Sequence, residues 1–182
     1  DFKAPAAFFL CTGLIGTSGC MWTDRAEIML DRTKKTTVRI PGTDEQLPLA
    51  SLYAKKVALR TIKNSLKKLP HSLAEVCLEE LADELALADV EVDGDYRLMS
   101  WKQARALVHS GFEVGAHTVN HPILSRIPLD DAKREILLSR DKVSFETGQC
   151  STTFCYPNGQ PEDFTRELMA FCEEHFRAAI CT

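Results

Sequence analysis

The sequence predicts an α/β fold: a partial or distorted (β/α) barrel of parallel strands, with a helical insert. Three observations lead there. From residue 98 onward short apolar runs alternate with longer amphipathic segments, the rhythm of βαβ units whose strands pair in parallel. Four such strand-like runs can be found along the chain, fewer than the roughly eight that close a barrel. Between residues 32 and 90 the rhythm changes to a hairpin-like stretch and two helices. That segment reads as an insert within a single domain over 1–182, itself expected to be incomplete.

Taken in order, "AAFFL" (6–10) reads as a buried strand followed by the turn-rich "TGLIGTSG". "WTDRAEIML" reads as a helix with Thr23 as its N-cap. Residues 36–49 hold two β-prone runs around Pro41-Gly42, a small hairpin. Residues 51–87 read as two helices broken at Pro70, the second opened by a Ser72/Glu75 capping box. Lys55, Lys56, Lys63, Lys67 and Lys68 read as a solvated helix face. Ser100 and Gln103 cap a helix that runs to Gly111, a natural residue just past a helix end. "FEVGAH" is then a strand, 129–147 a long amphipathic helix ending before Gly148, and "TTFCY" a strand. "EDFTRELMAFCEEHF" is a helix and "RAAIC" a last strand.

Composition narrows the function. The 182 residues are 45% apolar, enough for a core. A net charge of −4 gives no overall attraction to nucleic acid or an anionic membrane, and no apolar run has the length of a membrane span. The opening "DFKAPAAFFLCTGLIG" lacks a basic n-region, and Pro5 and Gly13 fit a strand between turns better than a signal peptide. Seven cysteines, Cys11, Cys20, Cys77, Cys150, Cys155, Cys172 and Cys181, form no CxxC pair. They read mostly as reduced core thiols, which favours a cytoplasmic location and leaves the cell envelope or secretion open.

"FEVGAHTVNHPIL" places His117 and His121 four residues apart. On a helix this spacing would put both imidazoles on one face. Pro122 disfavours the α conformation at His121, so the pair is expected to straddle a loop at the C-terminal end of a strand, where active sites of parallel α/β folds collect. Thr118 and Asn120 could hold the loop or orient the rings. Glu113 alternates with Phe112 and Val114 and should point away from their face. Asp130 and Asp131 open a helix, as N-caps. His71, His109 and His175 read as surface residues on helices or caps.

"LMSWKQARALVHSGFEVGAHTVNHPILSRI" resembles the second motif of the polysaccharide deacetylases, carbohydrate esterase family four. "REILLSRDKVSFETGQCSTTFCYPNG" resembles that family's helix leading into its third motif, and "PAAFFLCTGLI" its "PATFF" strand. The resemblance spans most of 4–28 and 98–182. It implies a hydrolase, of bacterial type, that removes acetyl groups, N-acetyl foremost, from a polysaccharide or oligosaccharide by cleaving a C–N amide bond. It implies Zn²⁺, or Co²⁺, Ni²⁺ or Mn²⁺, held by His117, His121 and an Asp, with an open position for an activated water. It further implies that the backbone N–H of Asn158 stabilises the oxyanion, with Tyr156 and Pro157 at the substrate and Pro157 and Gly159 shaping the turn.

The chain also departs from that family. The Asp-Asp motif supplying the base and the metal-ligand Asp is missing, and Asp1 lies too close to Pro5 to replace it. The late motifs with the general-acid His are missing too. Cys155 stands where many members have Arg, and Asn158 where they have an aromatic. The sequence is therefore expected to be a piece of a deacetylase and inactive by itself. A second reading is a catalytically inactive glycan-binding or scaffold relative, for which the upstream strand would lack the Asp pair. A third, another metal hydrolase on a related barrel, needs a carboxylate donor that the sequence does not offer.

Overall fold

The computed structural model describes residues 4–87, 92 and 94–181. Asp1 and the end of the expected insert, 88–90, lie outside them. In chain order the elements are β1 (Ala7–Leu10), α1 (Trp22–Arg32), β2 (Thr37–Arg39), β3 (Gln46–Pro48), α2 (Leu52–Leu66), α3 (His71–Glu84), α4 (Trp101–His109), β4 (Glu113–Ala116), α5 (Leu129–Thr147), β5 (Thr153–Cys155), α6 (Arg166–His175) and β6 (Ala178–Ile180), with short 3-10 turns at Gly94–Tyr96 and Leu124–Arg126. They fall into two compact units, one made of the chain up to Gly19 and from Leu98 onward, the other of Cys20–Arg97.

The first unit is built on a parallel sheet in the order β1-β4-β5-β6. All four expected strands are present and the barrel is partial. Leu10, Val114, Ala116 and Phe154 enter a core completed by Ala104, Ile136, Val143, Leu168 and Phe176. Phe154 is fully buried, and burial of such a ring contributes about 1.5–3 kcal/mol. Gly115 has to be glycine. A Cβ there would lie 2.5 Å from Thr153 Oγ1 and 2.6 Å from Phe9 Cε1, because β1 and β5 flank β4 closely. Glu113 is half-buried at the other end of β4 and accepts a bond from Thr153 Oγ1 at 3.0 Å.

α5 keeps its expected bounds. Ala132, Ile136, Ser139, Val143 and Thr147 recur at three- and four-residue spacing as its buried stripe, and Gly148 ends it at φ 72°. α4 carries the expected capping box, with Ser100 and Gln103 each bonding the other's backbone N–H. α6 is shorter than expected, because Thr165 caps it by accepting from the Leu168 N–H at 3.3 Å.

The second unit packs α1, α2 and α3 with the antiparallel β2–β3 hairpin around Met29, Leu30, Val38, Ile62, Leu81 and Leu85. The hairpin and the break at Pro70 agree with the sequence reading. Three capping expectations do not. Thr23 lies inside α1, whose N-cap is Met21. Ser72 lies inside α3, whose N-cap is Pro70, and Glu75 lies 3.5 Å from His71 instead. Asp130 and Asp131 sit in the first turn of α5 behind Pro128, where their charge complements the helix dipole. These three helices start without a side-chain cap, on residues with φ between −53° and −60° and ψ between 143° and 145°. That geometry is native to proline at two of them.

The lysine face is not wholly solvated. Lys55 Nζ donates to the Asp31 carbonyl at 2.7 Å, in the last turn of α1, and Lys63 pairs with Glu27 at 3.1 Å. The cysteines divide likewise. Cys11, Cys77 and Cys172 are buried as expected, whereas Cys150 and Cys181 are exposed. No helix among the described residues is long and apolar enough to cross a membrane.

Candidate metal centre

Parallel pairing of β1 with β4 sets Leu10 opposite Ala116, so the next residues, Cys11 and His117, leave neighbouring strand ends side by side. The backbone stays zipped past the strands. His117 N donates to Leu10 O (3.1 Å), Thr12 N to Thr118 O (3.1 Å) and Gly13 N to Val119 O (2.9 Å). A Cβ on Gly13 would lie 2.8 Å from Asn120 Oδ1 and 2.9 Å from Val119 O, so only glycine allows this approach.

The 118–121 loop is not helical. Thr118 and His121 both have positive φ, 64° and 57°. The sequence pairs this conformation with Pro122, which bars the right-handed helix. Left-handed backbone at a β-branched residue such as Thr118 is costly and needs support. Support is visible. The Thr118 side chain is fully buried, its hydroxyl donates to the His117 carbonyl, and its Oγ1 accepts from His121 N at 3.0 Å. From α5, Glu135 Oε2 accepts from the N–H groups of Val119 (2.8 Å) and Asn120 (2.9 Å), and its Oε1 from Asn120 Nδ2 (2.9 Å). Past His121, Ser125 donates its N–H to Asp163 O (3.0 Å) and its hydroxyl to Glu162 O (2.6 Å).

The two imidazoles come together, with ring centroids 4.8 Å apart and planes at 65°. His117 Nδ1 lies 2.7 Å from the Cys155 carbonyl. A carbonyl only accepts, so Nδ1 carries the proton and Nε2 keeps its lone pair for a ligand. Burial lowers the His117 pKa, opposed by that backbone bond, and so favours the neutral imidazole that metals require. Cys11 joins the pair: its Sγ and one ring nitrogen each of His117 and His121 all lie within 4.8 Å of one another. Among the described residues this group contains no carboxylate. Burial, followed by the nearby Glu135 and Cys155, pushes the Cys11 thiol up to about 12, and its Sγ donates to the His117 carbonyl at 3.2 Å.

The loop after β5 runs beside this group, since Cys155 anchors His117. Asn158 has φ 59° and is half-buried between buried Pro157 and Gly159. Gly159 N donates to Pro157 O at 2.8 Å. Tyr156 is only 4% exposed and stacks on Phe164 with centroids 4.1 Å apart. Burial, then its bond with Cys172, raises its phenol pKa. His71, His109 and His175 do not join the metal group: His109 Nδ1 bonds the Arg105 carbonyl at 2.7 Å, and the His175 ring packs edge-on to Phe171.

The structure brings together the two histidines that the sequence singled out and adds Cys11 and Glu135 beside them, which the sequence did not place there. Cys11 carried a signal, as the first residue past an apolar strand, but its place beside His117 depends on strand register. Glu135 sits at the edge of the buried stripe of α5, where a lone carboxylate among Ala132, Ile136 and Ser139 invites the question of what it binds.

A family model described as polysaccharide deacetylase matches residues 1–175. No curated protein matches. Solved structures do. A mutant of a CE4 family pseudoenzyme with restored enzymatic activity is 18% identical over 44% of this chain and 29% of its own, with a TM-score of 0.39. A polysaccharide deacetylase from Bacillus cereus is 19% identical over 57% of this chain and 36% of its own, with a TM-score of 0.42. A Streptococcus pyogenes deacetylase in complex with acetate is 15% identical over 98% of this chain and 81% of its own, with a TM-score of 0.44. The chain thus spans about a third of the length of the first two.

Proposed function

The chain belongs to the polysaccharide deacetylase family, and from that premise we propose that it forms the metal-holding part of a hydrolase that removes acetyl groups, N-acetyl foremost, from a polysaccharide or oligosaccharide. The observation that carries this reading is the convergence of His117 and His121 at the end of β4, with His117 Nε2 left open by the Nδ1 bond to the Cys155 carbonyl. In this reading both histidines hold the ion, Zn²⁺ or a similar divalent metal. When bound, that ion supplies Lewis acidity and activates water.

The chain's own groups do the positioning. Thr118 and Glu135 fix the loop so that both imidazoles meet one point with little reorganisation. The Asn158 N–H serves as oxyanion donor, presented by the Pro157–Gly159 turn. Tyr156 and Pro157 serve the substrate by holding that turn against Phe164. No base or acid is assigned within this chain.

The test is acetate release from N-acetylated oligosaccharides by the protein in its natural full length, with and without chelator. Chelator-sensitive release, lost in His117→Ala, is the expected result. Release that survives both chelator and His117→Ala would sink the reading. A second reading, an inactive glycan-binding relative, is favoured by one observation: no carboxylate joins the His pair among the described residues. Loss of a general base alone lowers rates by about 10²–10⁴-fold. Oligosaccharide binding without metal-dependent turnover would select it.

A further inference from the structure

The geometry points to Cys11 as a third protein ligand of the ion, a thiolate donor beside His117 and His121. This rests on the reading of His117 and His121 as ligands.

Position comes first. Cys11 reaches the site through strand register and is locked there by the backbone bonds on either side of it and by the lack of room for any side chain on Gly13. Distance comes second. The three donors already lie within 4.8 Å of one another. A tetrahedral site with bonds of about 2.3 Å to sulfur and about 2.0–2.1 Å to nitrogen holds its donors nearly 3.5 Å apart, so side-chain rotation closes the gap. Chemistry comes third. The present partner of Cys11 Sγ is a backbone carbonyl at 3.2 Å, and an S–H group is a weak donor, so little is lost on exchanging it for a cation. Two neutral imidazoles leave a buried dication uncompensated, and one thiolate removes half of that charge. Cys155 is not in this group of donors: its Sγ donates to the Tyr156 carbonyl at 3.8 Å, and its carbonyl holds His117 Nδ1.

Binding breaks the S–H bond, forms the metal–sulfur bond and releases the proton to solvent. The sulfur donor biases the site towards Zn²⁺ and Co²⁺ and away from Mg²⁺, Ca²⁺ and Mn²⁺.

The experiment is a Co²⁺ titration of the reduced full chain, followed by its near-ultraviolet thiolate-to-cobalt charge-transfer band and by circular dichroism for folding. The band is expected in the wild type and in Cys155→Ser, and is expected to vanish in Cys11→Ser. Co²⁺ affinity there should fall by at least the 10–100-fold typical of losing an outer partner. Cys11→Asp, which keeps an anionic donor, should bind Co²⁺ without the band, and it decides the matter if Cys11→Ser does not fold. A band that persists in Cys11→Ser or Cys11→Asp overturns the proposal. So does a bandless wild type whose Co²⁺ binding still requires His117, which leaves the histidine reading standing. No Co²⁺ binding by the folded wild type overturns both.

Discussion

The unit built on the parallel sheet and the unit of Cys20–Arg97 handle polar groups differently. Among the described non-glycine residues, Thr118, His121 and Asn158 have positive φ in the first, all in loops past β4 and β5, whereas the second has only Ala86, just past α3. Among the described residues, the buried polar side chains Thr12, Thr118, Ser139, Thr147, Ser151, Thr153 and Asp163 belong to the first, and Thr33 alone to the second. Strained backbone and buried polar groups both cost stability, and they persist where surrounding bonds fix them. The sheet unit places its strained residues in the loops past β4 and β5, and its buried polar groups both there, at Thr118, and at the opposite end of the sheet, where Thr153 bonds Glu113. The other unit packs Ile62, Leu81 and Leu85 against one another and keeps its ion pairs Arg25–Glu79 and Lys63–Glu27 at the surface. One region is organised to hold groups in place, the other to bury apolar surface.

The sharpest way to break this contrast is to damage each region and ask what fails. Ile62 is fully buried. Ile62→Ala should lower unfolding free energy by about 2–5 kcal/mol, read by denaturant titration, and leave Co²⁺ affinity of the folded protein unchanged. A matching drop in affinity would mean that the helical unit supports the site, and the contrast would fail. Gly115→Ala should cost about 1–3 kcal/mol through overpacking against Phe9 and Thr153. Unlike Ile62→Ala, it should also weaken Co²⁺, because β4 carries His117 at its end.

Glu135→Gln tests the loop clamp directly. One carboxylate accepts three N–H bonds. An amide turns one of its two ends into a donor, which must then face N–H groups. Metal affinity should fall about 10–100-fold, the range for partners that orient ligands, with circular dichroism unchanged. Affinity equal to the wild type would show that Glu135 only ties α5 to the loop.

How much of this was legible in the sequence depended on range. Local signals read well: the α5 stripe ending at Gly148, the Ser100/Gln103 box, the apolar strands, and Pro122 forbidding a helix at His121. Errors at helix starts share one cause. Thr23 and Ser72 offered a cap, but the chain had already turned at Met21 and Pro70, where backbone geometry did the work. The site was half legible because its parts come from distant stretches. His117 and His121 lie in one motif, whereas Cys11 is 106 residues from His117 and arrives through register that no single sequence displays. Glu135 was hidden for the same reason, since its partners are backbone N–H groups with no residue signature.

The smallest effect expected belongs to the surface of the helical unit. Arg25 grips Glu79 through both terminal guanidinium nitrogens, Nη1 and Nη2, joining α1 to α3, a two-point geometry that strengthens an ion pair. The Glu79 side chain is nevertheless 66% exposed, so water and salt screen the attraction, and ordering two long side chains opposes it. Arg25→Gln should therefore lower stability by less than about 1 kcal/mol, and the difference should shrink as salt is raised. A loss of several kcal/mol, insensitive to salt, would mean that this unit also relies on a fixed polar contact. The division between a region that positions groups and a region that buries apolar surface would then have to be redrawn.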